Sequence, residues 1–189
     1  MAIGVTGHRI LSDVAKIQAG VDKALGRVDE KFPGRRVTVI SSIAEGADRL
    51  VVHRVLRRPH ARLLVPLPLP QAEYLTDFAT AESKGEFLAL LDRADEVVQL
   101  PPAGTRERAY EAAGRYVVER CDVLLAVWDG RDAQGQGGTG GIVAEARDRG
   151  LPIAWVRAGN RKPGTLEPTS LGDEQGKVTF ENLPIAITE

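Results

Sequence analysis

The chain has 189 residues, a hydrophobic fraction of 43% and a formal net charge of -1, the size and composition of one globular domain with a substantial core. The near-neutral charge gives no electrostatic case for binding nucleic acid or a membrane surface, and no apolar run reaches the length of a membrane span. A single cysteine, Cys121, excludes an internal disulfide and a cysteine-based metal site, and the opening MAIGVTGHR runs into a strand pattern without signal-peptide features, so the expected location is cytoplasmic.

Residues 2–6 read as a first strand, delivering Gly7-His8-Arg9. Ser12 and Asp13 are candidate caps for a helix whose apolar positions Val14, Ile17, Val21, Ala24, Leu25 and Val28 recur at helical spacing. Pro33-Gly34 ends it, and a second strand spans 36–41. The loop 42–48 enters a second helix with Ser42 as its candidate cap and Leu50, Val51 and Val55 inward. Arg54, Arg57 and Arg58 sit at its far end, where cations complement the helix dipole. A third strand at 61–65 closes on Pro66, Pro68 and Pro70. A helix is expected over 73–94, with Leu75, Phe78, Phe87, Leu88 and Leu91 as its apolar members and Gly85 as its candidate interruption. A fourth strand follows at 95–100 and a further helix at 105–120.

The most distinctive stretch comes next. A continuous apolar run at 123–127 has the pattern of a buried parallel strand. It breaks at Trp128-Asp129-Gly130, crosses a glycine-rich loop and re-enters a helix at 142–149, which Gly150 and Pro152 punctuate. Residues 153–156 form a sixth strand, 157–176 look like an exposed loop, and 178–187 either add an edge strand or dock loosely. One domain is therefore expected over 1–156, with 157–189 as its loop-rich extension. Alternating strands and helices predict an α/β fold of three layers, a mainly parallel sheet with helices on both faces. Ligands bind such sheets beyond the carboxyl ends of the strands, and the loops 7–9, 41–48, 66–70 and 128–141 should meet there.

Those loops hold the candidate site. Gly137, Gly138, Thr139 and Gly140 suit a phosphate cradle, because first-turn amides lack intrahelical partners and carry the positive end of the helix dipole. Gly7 permits a tight turn, and Arg9 offers a fork of donors to phosphate or pairs with a carboxylate. His8 either donates to phosphate or serves as a hydrogen-bonded spacer. Ser41, Ser42, Glu45, Gly46 and Asp48 surround the second helix start. Glu45 can hold a ribose hydroxyl, while Asp48 is favoured by the dipole whatever its function. Trp128 can stack on a base or plug the sheet end, and Asp129 can accept from a sugar hydroxyl. Glu73, Tyr74 and Asp77 either close over a base or sugar or form a solvated helix face, and Tyr110 either reaches the site or packs in the core. Glu145 and Glu45 are the carboxylates to weigh as catalytic groups if a glycosidic bond is cleaved. For Glu145 the plain structural role is a salt bridge. No metal and no cofactor apart from the ligand are expected.

The order Gly-Val-Thr-Gly-His-Arg, Ser-Ser-Ile-Ala-Glu-Gly-Ala-Asp-Arg and Cys-Asp-Val-Leu-Leu-Ala-Val-Trp-Asp-Gly with Gly-Gly-Thr resembles the SLOG superfamily over roughly residues 2–156. That group of Rossmann-like domains includes Lonely Guy phosphoribohydrolases, DNA-processing proteins and bacterial nucleotide sensors, and the chain looks closest to the sensor type. The resemblance implies a nucleotide or nucleotide-derived ligand, with Gly7, His8 and Arg9 near it, residues 42–48 beside it, and Gly137, Gly138 and Thr139 on its phosphate. The Lonely Guy enzymes carry Pro-Gly-Gly-x-Gly-Thr-x-x-Glu. Here the threonine slot falls on Gly141 and the glutamate slot on Ala144, so Glu145 is one residue late, a turn of about 100° on a helix. The first expectation is therefore a binding module that passes ligand occupancy to a second subunit or an effector protein. The alternative is an N-glycosidase or phosphoribohydrolase acting on nucleoside 5'-monophosphates. Single-stranded DNA is a weaker third, opposed by the charge.

Overall fold

β5 (Val123–Trp128) is apolar and buried at every position. Alternate strand residues face opposite sides of a sheet, so a run with no polar member requires cover on both faces. The computed structural model, which describes residues 1–131 and 138–183, supplies it. Val123, Leu125 and Val127 join one core cluster and Leu124, Ala126 and Trp128 the other. β1 (Ala2–Gly7), β2 (Thr38–Ile40), β3 (Arg62–Leu67), β4 (Glu96–Gln99), β6 (Ile153–Arg157) and β7 (Val178–Glu181) complete a seven-stranded sheet in the order β4-β3-β2-β1-β5-β6-β7. All pairings are parallel except that of β7 with β6. The fold is Rossmann-like α/β, as the alternation predicts.

On one face α1 (Val14–Lys31) buries Ile17, Val21, Ala24, Leu25 and Val28, and α2 (Ala47–Val55) buries Val51, Val52 and Val55. α3 (Gln71–Tyr74) and α4 (Ala81–Asp92) add Tyr74, Phe87 and Leu90 to the same cluster. The other face is covered by α5 (Arg106–Arg120) and α6 (Thr139–Asp148) through Val117, Val118, Ile142, Val143 and Ala146. Among the described residues no helix is long and apolar enough to cross a membrane.

Three local expectations are corrected. The helix expected over 73–94 is broken, and not at Gly85. α3 runs into a 3-10 turn, Leu75–Asp77, and Phe78 turns extended before Thr80 caps α4 by accepting from the Ser83 amide. The break lets Phe78 enter the core beside Tyr74 and Phe87, with ring centroids 5.1–5.2 Å away, an aromatic burial a straight helix could not reach. Gly85 lies inside α4, and Leu88 is turned outward. The side chains read as caps are used elsewhere: Asp13 makes no cap hydrogen bond and accepts from the Ser170 hydroxyl, Ser12 donates to the Thr169 carbonyl, and Ser42 donates to the Pro66 carbonyl while Gly46 occupies the α2 N-cap. The stretch read as exposed loop at 157–176 is exposed over 161–168 as expected but buries Ala158, Gly159 and Gln175, because the Gln175 amide bonds Gly159, Leu171 and Ser12, just ahead of α1.

Leu125 is fully buried in the strand covered on both faces. Leu125→Ala should lower the free energy of unfolding by about 3 kcal/mol, measured by urea denaturation.

Candidate functional site

β1 and β5 are neighbours, with β2 to β4 on one side and β6 and β7 on the other. The strand order therefore reverses between them, which is where open α/β sheets leave a crevice. The chain leaves β1 at Gly7, whose added Cβ would sit 2.4 Å from the Ala47 Cβ and 2.6 Å from the Val127 carbonyl oxygen. The His8 amide donates to Val127 O at 3.0 Å, and the His8 carbonyl accepts from the Ala47 amide at 3.0 Å. Gly46 closes the crossing: its φ is 77° and a Cβ there would meet the Arg9 and His8 carbonyls at 2.3 and 2.5 Å. Only glycine fits both positions. The ends of β1 and β5 and the β2–α2 loop are fastened together by backbone.

His8 and Asp129 meet at the switch point. The Asp129 amide donates to His8 Nε2 at 3.1 Å, and the Asp129 carboxylate lies 3.2 Å from the same nitrogen. Burial drives the His8 pKa below its ordinary value and the Asp129 charge only partly opposes this. A neutral ring that accepts at Nε2 carries its proton on Nδ1. Among the described residues the other Asp129 contacts are to Arg131, through its amide and guanidinium.

The β2–α2 loop gathers a second group. Ser41 donates to the Asp48 carboxylate at 2.8 Å and accepts from the Ile43 amide. Burial pushes the Asp48 carboxyl up to about 6. Arg9 donates to Glu45 at 2.9 Å and to the Asp77 carbonyl, and Glu45 also accepts from the Ser83 hydroxyl. Burial raises the Glu45 pKa, but the bonds from Ser83 and Arg9 outweigh it and leave it lowered. Arg49 was not singled out in the sequence. It is 4% exposed, bonds the Ile43 carbonyl, Ser83 and Glu86, and lies 4.6 Å from the Phe78 ring centroid. An arginine in the first turns of a helix reads as surface, so no sequence signal marks it.

The remaining candidates separate. Trp128 is 3% exposed and packs on Trp155 at 5.4 Å. It plugs the sheet end and offers no free face for base stacking. Tyr74 is in the core, and Asp77 accepts from Arg106 and Tyr110, which ties the α3–α4 segment to α5. Glu145 pairs with Arg149 at 2.9 Å and approaches Arg115 at 3.8 Å, so its partners are on α6 and α5. Thr139 and Gly140 open α6 behind Gly138, which supplies no side-chain cap, and no acidic residue lies in the first turn. No hydrogen bond joins them to His8, Ser41 or Ser42 among the described residues. Gly137 lies outside the described residues. Among the described residues no group of three or more His, Cys, Asp or Glu could hold a metal ion.

Asp48 gives a pH test. A carboxyl raised from 3.8 to about 6 binds its proton more tightly when folded, so its contribution to stability is present below pH 4 and is lost as pH rises towards 6. Asp48→Asn should match the parent near pH 4 and exceed it by about 1–3 kcal/mol at pH 7, measured by urea denaturation across that range.

What the geometry shows is a Rossmann-like sheet whose switch-point loops are fastened at its carboxyl rim; scanned against protein-family models the chain matches none, and no curated protein matches it in sequence.

Proposed function

We propose that the protein is a binding module for a nucleotide or nucleotide-derived anion, held over the carboxyl ends of β1 and β5. One observation carries this. The helix that follows the switch-point strand begins Gly138-Thr139-Gly140-Gly141 with no side-chain cap and no acidic residue in its first turn. First-turn amides lack intrahelical partners and are met by a capping side chain, by water or by a ligand; α4 and α5 carry a side-chain cap, while α1, α2 and α3, like α6, do not. Here the Thr139 and Gly140 amides have no acceptor among the described residues, and the dipole favours an anion beside them. Arg9, half-exposed and held by Glu45, is the candidate for a second phosphate contact, and the His8–Asp129 pair, whose side chains are only 9% and 10% exposed, is the candidate for a ribose hydroxyl. The motif order shared with the SLOG superfamily supports the same ligand class, and a second subunit or effector is the proposed receiver of the signal.

A hydrolase would need a carboxylate free to work on the glycosidic bond. Glu145 is engaged by Arg149 and Arg115, and Glu45 by Arg9 and Ser83. No release of free base from nucleoside monophosphates is therefore expected, and release abolished by Glu145→Gln would reverse the assignment.

The binding test is thermal and chemical denaturation with nucleoside mono-, di- and cyclic phosphates and dinucleotides. One class should stabilise the fold by about 2.7 kcal/mol at a hundredfold excess over its dissociation constant; no stabilisation by any class would refute binding. Thr139→Asp separates the ligand effect from the helix effect. A carboxylate in the first turn should raise the stability of the free protein by about 0.3–1 kcal/mol and remove the stabilisation by ligand.

A further inference from the structure

α4 carries apolar residues on its outer face as well as its inner one. Phe87 and Leu90 are buried against the sheet, while Ala81, Gly85, Leu88 and Ala89 are exposed, Leu88 at 41%. An added Cβ at Gly85 would meet nothing within 4 Å. Residues four apart form rows on a helix surface, so Lys84, Leu88 and Asp92 make a ridge beside a shallow row of Ala81, Gly85 and Ala89. Lys84 and Asp92 form no ion pair among the described residues, although their neighbour Glu86 pairs with Arg49 and His53. The adjoining strand β4 ends the sheet, and no strand covers its outer edge among the described residues. Val97 is 45% exposed. It lies opposite Val65 in the ladder, and Val65 belongs to the cluster of Phe87 and Leu90, so Val97 is on the sheet face that α4 covers. Leu88 is four residues before the end of α4, about 6 Å along the axis, and Val97 is one residue into β4, about 3 Å from its start. A three-residue turn joins the two elements, which sets both at a similar height on one edge.

We propose that this edge is the interface between two copies of this chain, related by a twofold axis that passes Val97 and Leu88. The two β4 strands pair antiparallel with Val97 opposite Val97, which makes one sheet continuous through the dimer. Glu96 then stands beside the other copy's Val98 and Asp95 beside its Gln99, with no like charges opposed. The two α4 helices cross antiparallel, each Leu88 seated in the other's Ala81-Gly85-Ala89 row. The charges argue for a second copy over any other occupant. Lys84 and Asp92 lie four residues to either side of Leu88, so an antiparallel crossing at Leu88 brings each Lys84 to the other copy's Asp92. A surface self-complementary about its own centre is what a twofold interface requires; a foreign strand or helix has no need of that symmetry. An uncovered strand edge also presents unpaired backbone groups that pairing would satisfy.

Sedimentation velocity and light scattering of the full chain should show a dimer of twice 20.4 kDa. Leu88→Glu and Val97→Lys should each weaken association about tenfold or more. Both positions are well exposed, so the circular dichroism spectrum should be unchanged. Lys84→Glu should weaken the dimer, and Lys84→Glu with Asp92→Lys should restore it. A monomer at every attainable concentration would overturn the proposal, as would a dimer indifferent to Leu88→Glu and Val97→Lys. A double reversal that fails to restore a weakened dimer would overturn the antiparallel crossing.

Discussion

The rim of this sheet depends on a backbone crossing at the end of β1. His8 gives its amide to β5 and its carbonyl to the start of α2, and there is room for that only because Gly7 and Gly46 have no side chains. Each loop is thereby placed by peptide groups, whose geometry is fixed, rather than by flexible side chains. The strand order reverses between β1 and β5, the place where open α/β sheets bind ligands, and the crossing fastens the loops there: Gly7, His8 and Arg9 on one loop, Asp129 on the next, Ser41 to Asp48 on the third. Pre-organisation of this kind leaves little loop entropy for any ligand to remove.

Beside the crossing the fold buries charge. Asp48 lies under the loop with Ser41 and the Ala44 amide around its carboxylate, and Arg49 is laid over the Phe78 ring with Ser83 and Glu86 on its guanidinium. Burying ionised groups is costly unless they are hydrogen-bonded. The upward shift of Asp48 shows that the cost is not fully offset. Such groups fix one arrangement of loop and helix where apolar contacts would allow several. The break at Phe78 serves the same end. It turns α4 so that Ser83 and Glu86 reach Glu45 and Arg49, and it lets Asp77 tie the segment to Arg106 and Tyr110 on α5.

Much of this was legible in the chain. The unbroken run through β5 and the alternation of strands with helices required a parallel sheet with two covered faces, and the helical spacing of Ile17, Val21, Ala24, Leu25 and Val28 named the buried side of α1. Of the loops expected to meet at the strand ends, residues 7–9, 41–48, 66 and 127–129 are brought together, while residues 132–137 lie outside the described residues. The caps were not legible: Ser12, Asp13 and Ser42 have the right chemistry for helix starts, but their oxygens bond carbonyls and hydroxyls that arrive from residues 66 and 169–170. The outward turn of Leu88 and the inward turn of Arg49 also run against residue preference, because each is set by which neighbour packs on that side of the helix.

By itself the sequence determined the element types, their order, the two-sided burial of the sheet and the end of it where polar loops collect, because these follow from periodicity, from turn residues and from the handedness of strand–helix–strand connections. Only the tertiary structure decided which candidates meet. Periodicity is blind to contacts between residues far apart in the chain. It could not show that His8 would face Asp129, that Arg9 would be held by Glu45, that Trp128 would be sealed against Trp155, or that Glu145 would be drawn to the arginines of α5 and α6.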